Sequence, residues 1–268
     1  MKNQYVGDIG DYTKLGLLRA LQNEGLSVGV NWYLTPDDPK KSTDGKYVEY
    51  LESVDEMPDQ QLFNGLKMII DKSKIDKSER SLDKLDKLLP GVKQHLDPLD
   101  FSKFKKQKHL KRCDEMKKQR DNWHQKAKEE LKGVDVVFLD PDNGLEIGSF
   151  SPDRLDSNKY VTYAEVYDYY NEKINTDKKT SVMVYQHRDH SKPATYLSRF
   201  TRFKKEGLLH ADVFFVHAKC RSVRDYLFIA HKEHTEQIKT ALATMLAEGW
   251  SRFLEEATDP QVALENLA

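Results

Sequence analysis

Cysteine is scarce in this chain. Only two of its 268 residues are cysteines, Cys113 and Cys220, and they lie far apart in the sequence. A disulfide framework or a zinc knuckle needs several cysteines at short, repeated spacings. The shortage therefore excludes both classes and predicts a protein of a reducing compartment such as the cytoplasm.

Long apolar runs are also missing. The mean hydropathy is −0.75, and no stretch approaches the roughly 20 consecutive apolar residues that cross a bilayer. The first five residues, Met-Lys-Asn-Gln-Tyr, contain no apolar signal segment. We therefore expect a cytoplasmic location and no membrane partner.

A surplus of one sign of charge is absent as well. The formal net charge is −1, but balanced totals can hide local patches. Positive charge is concentrated at 103–128. The cations there are Lys103, Lys105, Lys106, Lys108, Lys111, Arg112, Lys117, Lys118, Arg120, Lys126 and Lys128.

Two interpretations of this basic segment stay open. A charge run is commonly the solvated face of a helix. Cations interleaved with aromatic rings can also bind a nucleic-acid strand, through phosphate contacts and stacking. The interleaved rings are Phe101, Phe104, His109, Trp123 and His124. Under the second interpretation the candidate substrate contacts are Lys105, Lys108, Lys111 and Arg112.

The hydrophobic pattern switches between helical and strand periods. Predicted helices cover about 13–25, 46–51, 59–72, 78–89, 105–132, 164–174 and 193–206, the first capped by Asp11 or Thr13. Predicted strands cover 26–34, 134–139, 181–185, 211–217 and 226–230. This order predicts an α/β fold, with a mostly parallel sheet flanked by helices and closed by an antiparallel hairpin.

The same pattern predicts the domain organisation. We expect a single domain at 1–234, with a helical insertion at about 58–132. The remainder, 235–268, is predicted to be a peripheral helical tail. No repeat and no flexible linker divides the chain.

The stretch at 134–146 is the most informative. Its first half, Val-Asp-Val-Val-Phe-Leu, has the composition of a strand buried on both faces. An Asp-Pro-Asp-Asn-Gly turn follows at 140–144, with Glu146 beyond it. These are ordinary turn residues, yet ligands of open α/β sheets bind at the carboxyl ends of strands.

Two other predicted strands end in polar clusters, at Thr35, Asp37 and Asp38 and at Gln186, His187 and Arg188. Parallel strands would bring these clusters to one rim of the sheet. The candidate catalytic residues are Asp140, Asp142, Asn143, Glu146, His187 and Lys14. The candidate substrate-binding residues at the rim are Asp8, Asp11, Trp32, Thr35, Asp37 and Gln186.

Two chemistries match this set. In one, Asp140, Asp142 and Glu146 hold Mg²⁺ or Mn²⁺ in a nuclease or phosphoesterase, while His187 or Lys14 handles a proton. In the other, the Asp-Pro turn presents a carboxylate and a backbone carbonyl to an exocyclic amine during group transfer. The residue pattern alone leaves both open.

Several segments resemble a family of Rossmann-like S-adenosylmethionine-dependent methyltransferases that modify N6 of adenine in large-subunit ribosomal RNA. The similar segments are Gly-Asp-Ile-Gly-Asp-Tyr-Thr-Lys-Leu at 7–15, the turn at 140–143, the strand at 182–187 and the hairpin at 211–231. The resemblance is colinear over about 5–232. It implies a Rossmann-like fold, S-adenosylmethionine as cofactor, a nucleic-acid substrate, and contact between Asp140 and the target amine.

Two positions depart from that family. The turn at 32–39 has no glycine where the family has a glycine-rich loop, and Asn143 stands where the family has a base-stacking aromatic residue. The metal-dependent alternative therefore stays open.

The chain also resembles a family of uncharacterised bacterial proteins. The shared patterns are Gly-Asp-x-x-Asp-Tyr-x-Lys, Trp-x-Leu-Thr-Pro-Asp, Asp-Pro-Asp-Asn-Gly-Leu-Glu and Tyr-Gln-His. This second resemblance implies no activity. It leaves room for a third function, a non-catalytic nucleotide- or nucleic-acid-binding module in regulation or defence.

Overall fold

The structure is a computed structural model that describes residues 1–37, 45–53, 56–171, 178–205, 208–221 and 223–267, without the side chains of His109 and Leu110. Its α-helices are α1 (Ile9–Asn23), α2 (Gln60–Ser73), α3 (His109–Leu131), α4 (Tyr163–Tyr170), α5 (Pro193–Lys205), α6 (Lys232–Ala247) and α7 (Pro260–Glu265). Its strands are β1 (Val28–Asn31), β2 (Lys93–His95), β3 (Val136–Leu139), β4 (Gly144–Leu145), β5 (Tyr160–Val161), β6 (Ser181–His187), β7 (Asp212–Ala218) and β8 (Arg224–Ala230). Short 3₁₀ helices lie at Asn3–Tyr5, Glu49–Glu52, Lys77–Glu79, Leu82–Lys87, Ser102–Phe104, Leu155–Lys159 and Trp250–Arg252.

Six strands form one sheet in the order β2-β1-β3-β6-β8-β7. The first four strands in that order are parallel, while β8 runs antiparallel to both β6 and β7. The predicted α/β class, mostly parallel sheet and closing antiparallel hairpin are confirmed. A separate two-stranded parallel sheet joins β4 to β5.

Helices cover both faces of the six-stranded sheet. Side chains of β3 alternate between two buried clusters: Val136 and Phe138 face α1, α2 and α6, whereas Val137 and Leu139 face α3, α4 and α5. Burial of a side chain such as Phe138 contributes about 1.5–3 kcal/mol. None of the helices in the described ranges combines the length and apolar character that a bilayer-spanning segment requires.

Several predicted element boundaries are wrong. The first helix begins at Ile9, because Asp8, and not Asp11 or Thr13, is its N-cap and accepts a hydrogen bond from the Asp11 amide. The segment predicted as a helix at 78–89 forms two 3₁₀ helices. The insertion at 58–132 is not wholly helical, because it supplies β2, a three-residue edge strand too short and polar to show a strand period.

The C-terminal segment belongs to the core and is not peripheral. Ile238, Leu242 and Met245 of α6 are buried with α1. Trp250 stacks on Tyr12 of α1, with their ring centroids 4.9 Å apart. The prediction of a peripheral tail failed because helical periodicity shows that a helix has an apolar face, but not what that face packs against.

Candidate functional site

The site lies where the order of the strands reverses. From β1 the chain passes to β2 on one side and later to β3 on the other. In open α/β sheets such a reversal opens a crevice beyond the carboxyl ends of the two central strands. The Asp140 amide donates to the Asn31 carbonyl at 3.0 Å, which places the turn after β3 directly beside the end of β1.

The side chain of Gln186 holds the turn at 140–146 in place. Its Oε1 accepts from the Leu145 amide at 2.8 Å, and its Nε2 donates to the Asn143 carbonyl at 3.2 Å. Gly144 has a φ of +98° and packs so closely that a Cβ there would lie 2.5 Å from Gln186. Gln186, predicted to bind substrate, is 1% exposed, so its visible role is to shape the turn.

Three buried charges converge beneath this turn. Lys14 Nζ lies 2.8 Å from Asp140 Oδ2 and 3.0 Å from Asp11 Oδ1. Taking a lone ammonium out of water costs several kcal/mol, and two carboxylates offset that cost here. Burial alone would lower the pKa of Lys14, but these carboxylates raise it above its ordinary value. Lys14 is therefore a fixed ammonium that holds Asp140 in position.

The spacing of Asp8, Asp11 and Lys14 explains their arrangement. Residues three apart lie on one face of a helix, and this face of α1 points toward the end of β3. Asp11 Oδ2 also accepts from the Gly7 amide at 3.1 Å. Burial raises the pKa of Asp11 and of Asp140, and the Lys14 ammonium between them counteracts part of that rise.

Met1 occupies the crevice between β1 and β3. Its amino group donates to the carbonyls of Tyr33 and Asp140, both at 3.1 Å, and pairs with Asp142 Oδ1 at 3.0 Å. Its carbonyl accepts from the Thr35 amide at 2.8 Å. Burial alone would raise the pKa of Asp142, but the amino group of Met1 holds that pKa below its usual range.

A cavity of about 370 Å³ opens above these charges. The predicted residues that line it are Asp8, Asp11, Lys14, Asp140, Asp142, Asn143 and His187. Burial lowers the pKa of His187, which keeps its imidazole neutral at neutral pH. The structure therefore gathers most of the predicted catalytic set around one space.

Glu146 is separated from that set. Its Oε1 accepts from the Tyr163 amide at 2.9 Å, at the start of α4, and it lines a different cavity. Strand β4 carries the chain across the turn and so directs Glu146 away from Asp140. Within the described ranges, no three His, Cys, Asp or Glu side chains form a group that could hold a metal ion. The predicted metal set of Asp140, Asp142 and Glu146 is not assembled.

Trp32 and Asp37 do not line the cavity. Trp32 is fully buried and donates through Nε1 to Gln94 Oε1 at 2.9 Å, so it packs in the core and is closed to a ligand. Asp37 is exposed and accepts from the Gln4 amide at 3.2 Å. Asp38 lies outside the described residues.

The basic segment is split between exposed cations and buried rings. Lys105, Lys108 and Lys111 are exposed, and Arg112 is partly buried. The interleaved rings Phe101, Phe104, Trp123 and His124 are buried, while the side chain of His109 is not described. Stacking of bases on these four rings is excluded, but phosphate contact by the lysines is not.

Several residues that line the cavity were not predicted from the sequence. They are Lys2, Tyr5, Lys46, Tyr47, Lys159, Tyr185 and Arg224. Arg224 begins β8 and lies against Gly10, where an added Cβ would be only 1.6 Å from its Nη1. The glycine in the Gly-Asp-x-Gly-Asp pattern was the one available signal for so close an approach.

Comparisons with known proteins found no match to this chain among protein-family models, curated proteins or solved structures.

Proposed function

We propose that this chain is a nucleic-acid-acting enzyme with a Rossmann-like, methyltransferase-like fold, and that the cavity beside Asp140 receives the target base. One observation carries the proposal. The carboxylate of Asp140, fixed by Lys14, forms the floor of a cation-lined cavity at the strand-order reversal of a mostly parallel sheet.

Asp140 has the geometry to receive a hydrogen-bond donor. Its Oδ2 is held by Lys14 at 2.8 Å, and within the described residues its Oδ1 makes no hydrogen bond. A base with an exocyclic amine offers two donors to such a carboxylate. The rings of Tyr47 and Tyr185 line the same cavity and supply the aromatic surface that enzymes use to hold an extruded base.

S-adenosylmethionine does not fit the crevice as the chain folds here. The space beyond β1 and β3 is filled by Met1, which is 4% exposed. Tyr33, two residues beyond the end of β1, has a φ of +45°, a conformation that a side chain makes costly and a glycine adopts readily. What the site provides is a carboxylate acceptor at Asp140 and a fixed ammonium at Lys14.

The proposal is tested by binding and by product analysis. Fluorescence anisotropy compares a single-stranded oligonucleotide that contains adenine with one that has an abasic site at the same position. We expect the full chain to prefer the intact strand, and Asp140→Asn to remove that preference. Asp71→Asn, at an exposed ion pair on α2, is the matched control and keeps the preference.

Mass spectrometry of the recovered nucleosides then tests for a reaction, with and without S-adenosylmethionine. A modified base supports the enzyme. Equal affinity of the wild type for the intact and abasic strands would overturn the proposal. Base-dependent binding with no modified product would replace the enzyme with the non-catalytic binding module.

A further inference from the structure

Met1 is held in the crevice in the way that a ligand is held. Its α-amino group donates to the carbonyls of Tyr33 and Asp140, both at 3.1 Å, and pairs with Asp142 Oδ1 at 3.0 Å. An ammonium carries three N–H donors, so the acceptors match it in number. Met1 is 4% exposed. The crevice therefore supplies the partners that one buried ammonium requires.

The rest of Met1 has partners of its own. Its carbonyl accepts from the Thr35 amide at 2.8 Å and from the Thr35 hydroxyl at 3.3 Å. Its Sδ accepts from Lys14 Nζ at 3.6 Å. A neutral thioether accepts such a bond, whereas a positively charged sulfur would be repelled by the Lys14 ammonium. The ammonium, the carbonyl and the sulfur of Met1 are thus bound by separate groups.

These partners lie where an open α/β sheet binds its ligands. Tyr33 follows β1 and Asp140 follows β3, on the two sides of the reversal in strand order. Residues 3–5, which connect Met1 to the fold, are only partly buried. The acceptors therefore belong to the ends of the sheet, while their occupant belongs to a short segment near the surface.

The geometry points to a binding site in this crevice for an α-amino amide with an uncharged side chain, a site whose intramolecular ligand is Met1. An added ligand of this class competes with Met1 for the same acceptors. Asp142, 10% exposed, supplies the negative charge that favours an ammonium. Binding in the crevice is independent of the nucleic-acid proposal, because it uses the backbone carbonyl of Asp140, whereas the target base would meet its carboxylate.

Acylation of amines in the folded wild-type chain tests whether the crevice holds Met1. Free α-amines are acylated ahead of lysines near neutral pH, because they lose their proton more readily. We expect the opposite order here, with Lys111, whose side chain is 73% exposed, labelled before Met1. Unfolding in urea should restore the ordinary order. Peptide mass spectrometry locates the label, and labelling of Met1 first in the folded chain would overturn the proposal.

An extended chain tests whether an added ligand can take the place of Met1. Gly-Ser placed before Met1 replaces the ammonium with an amide and leaves two more residues to accommodate, so we expect a lower Tm. The same dipeptide placed after Ala268, beside the 51% exposed Leu267, is the matched control and should leave the Tm unchanged.

Ligands of the proposed class should then stabilise the chain that is extended before Met1. L-methioninamide should raise its Tm in a concentration-dependent manner, and should raise the wild-type Tm less because Met1 competes. N-acetyl-L-methioninamide lacks the ammonium and should raise neither. Equal Tm values of the two extended chains would overturn the proposal, and so would equal effects of the two amides.

Asp142→Asn keeps the proposal testable if the extended chain does not fold. Loss of the charged acceptor should speed the acylation of Met1, whereas Asp156→Asn, at an exposed residue, should not. Equal acylation rates in the two variants would show that Asp142 does not hold the ammonium. These measurements contain no nucleic acid. Their failure would leave the adenine preference at Asp140 intact, and loss of that preference would leave the crevice site standing.

Discussion

At the scale of single residues, Gly144 is the position where the candidate turn tolerates least change. Gly144→Ala combines a backbone at φ +98° with a Cβ 2.5 Å from Gln186. Either effect alone costs about 1–3 kcal/mol. We expect the free energy of unfolding, measured with urea, to fall by at least that amount.

Two other glycines separate the causes of that loss. Gly133 has a φ of +80° and open space around it, so Gly133→Ala measures the backbone strain alone. Gly148 has open space and no positive φ, so Gly148→Ala introduces neither the backbone strain nor the close contact and serves as the control. Gly144→Ala should be the most destabilising of the three. Equal losses at 133 and 144 would show that the contact with Gln186 contributes nothing.

Lys14 is predicted to matter through the carboxylates that it compensates. Lys14→Met leaves Asp11 and Asp140 buried without their cation, which costs about 3–5 kcal/mol at neutral pH. Burial raises both pKa values, so in the variant the folded state binds protons that the unfolded state releases. Stability therefore falls as pH rises above the unfolded value of roughly 3.9.

Urea unfolding of this variant at pH 5 and pH 8 checks the sign. The loss relative to wild type should be larger at pH 8. Lys72→Met, at an exposed lysine of α2, should show no loss at either pH. A loss that is independent of pH would mean that the two carboxylates do not depend on Lys14.

Local spacing is why part of the site could be predicted from sequence. Asp8, Asp11 and Lys14 share a helix face at a spacing of three, and Asp140 follows a visibly buried strand. Arg224 and Met1 reach the same cavity only through β8 and through the packing of residues 1–5. Such long-range placement leaves no periodic trace in the sequence, so neither residue was predicted.

At the scale of secondary-structure elements, the Arg120–Glu165 pair ties α3 to α4. Arg120 Nε and Glu165 Oε1 are 2.7 Å apart and both side chains are buried. Glu165 also completes the capping box of α4 with Thr162. Burial alone would raise the pKa of Glu165. The Arg120 guanidinium has the larger effect and lowers that pKa to about 2.

We expect this ion pair to account for part of the stability that the fold loses in acid. A lowered folded pKa stabilises the fold above the unfolded value of roughly 4.3, and the gain is lost as pH falls toward 2. Its size is about 3 kcal/mol. Unfolding of Glu165→Gln between pH 5 and pH 2 should lack this slope, whereas Asp156→Asn, at an exposed residue, should keep it. An unchanged slope in Glu165→Gln would refute this assignment.

Helix α3 is longer than the sheet it covers. At about 1.5 Å per residue its 23 residues span about 34 Å, while β3 spans about 13 Å. Trp123 contacts His95 at the carboxyl end of β2, with ring centroids 5.3 Å apart. The helix residues that precede Trp123 therefore extend past the carboxyl ends of the strands, which is the rim where the cavity opens. We expect their cations to contact a nucleic-acid strand that enters the cavity.

Charge reversal tests that placement. We expect Lys105→Glu with Lys108→Glu to weaken oligonucleotide binding and to reduce its dependence on salt by about two phosphate contacts. The matched control is Lys72→Glu with Lys77→Glu, at exposed lysines of the α2 region. Anisotropy titrations at several salt concentrations give both slopes. Equal effects of the two pairs would indicate general electrostatic attraction and no binding path along α3.

The elements differ in how well sequence predicted them. The helix expected at 59–72 is confirmed as Gln60–Ser73 because its apolar stripe is strong and Asp59 caps it. Strand β2, Lys-Gln-His, has no alternating pattern and exists because the edge of β1 offers hydrogen-bonding partners. This strand forms because the tertiary fold places it beside β1, and its residues have no strand propensity from which it could be predicted.

At the scale of the whole molecule, the C-terminal segment completes one face of the sheet. Gly16 of α1 leaves space that Trp250 fills, because a Cβ at that position would lie 2.1 Å from the indole ring. Residues beyond Trp250 add hydrogen bonds to the edge of the sheet, where Phe215 and Thr258 exchange two bonds at 2.9 Å. The glycine and the tryptophan are more than two hundred positions apart, so sequence gave no sign that they meet.

Trp250→Ala is therefore expected to weaken the whole fold and not a terminal segment alone. Removing a buried indole leaves a cavity beside Tyr12 and costs about 3–5 kcal/mol, and urea unfolding followed by circular dichroism should show it as one cooperative transition. Leu267→Ala is the control, because Leu267 is 51% exposed and such surface changes stay within about 0.5 kcal/mol. If Trp250→Ala matched that control, the indole would not be packed against α1 and the C-terminal segment would be peripheral, as its sequence alone predicts. If the large loss is found, packing of the C-terminal segment stabilises α1. The positions of Asp11 and Lys14 beneath the cavity then depend on residues that lie far from the cavity.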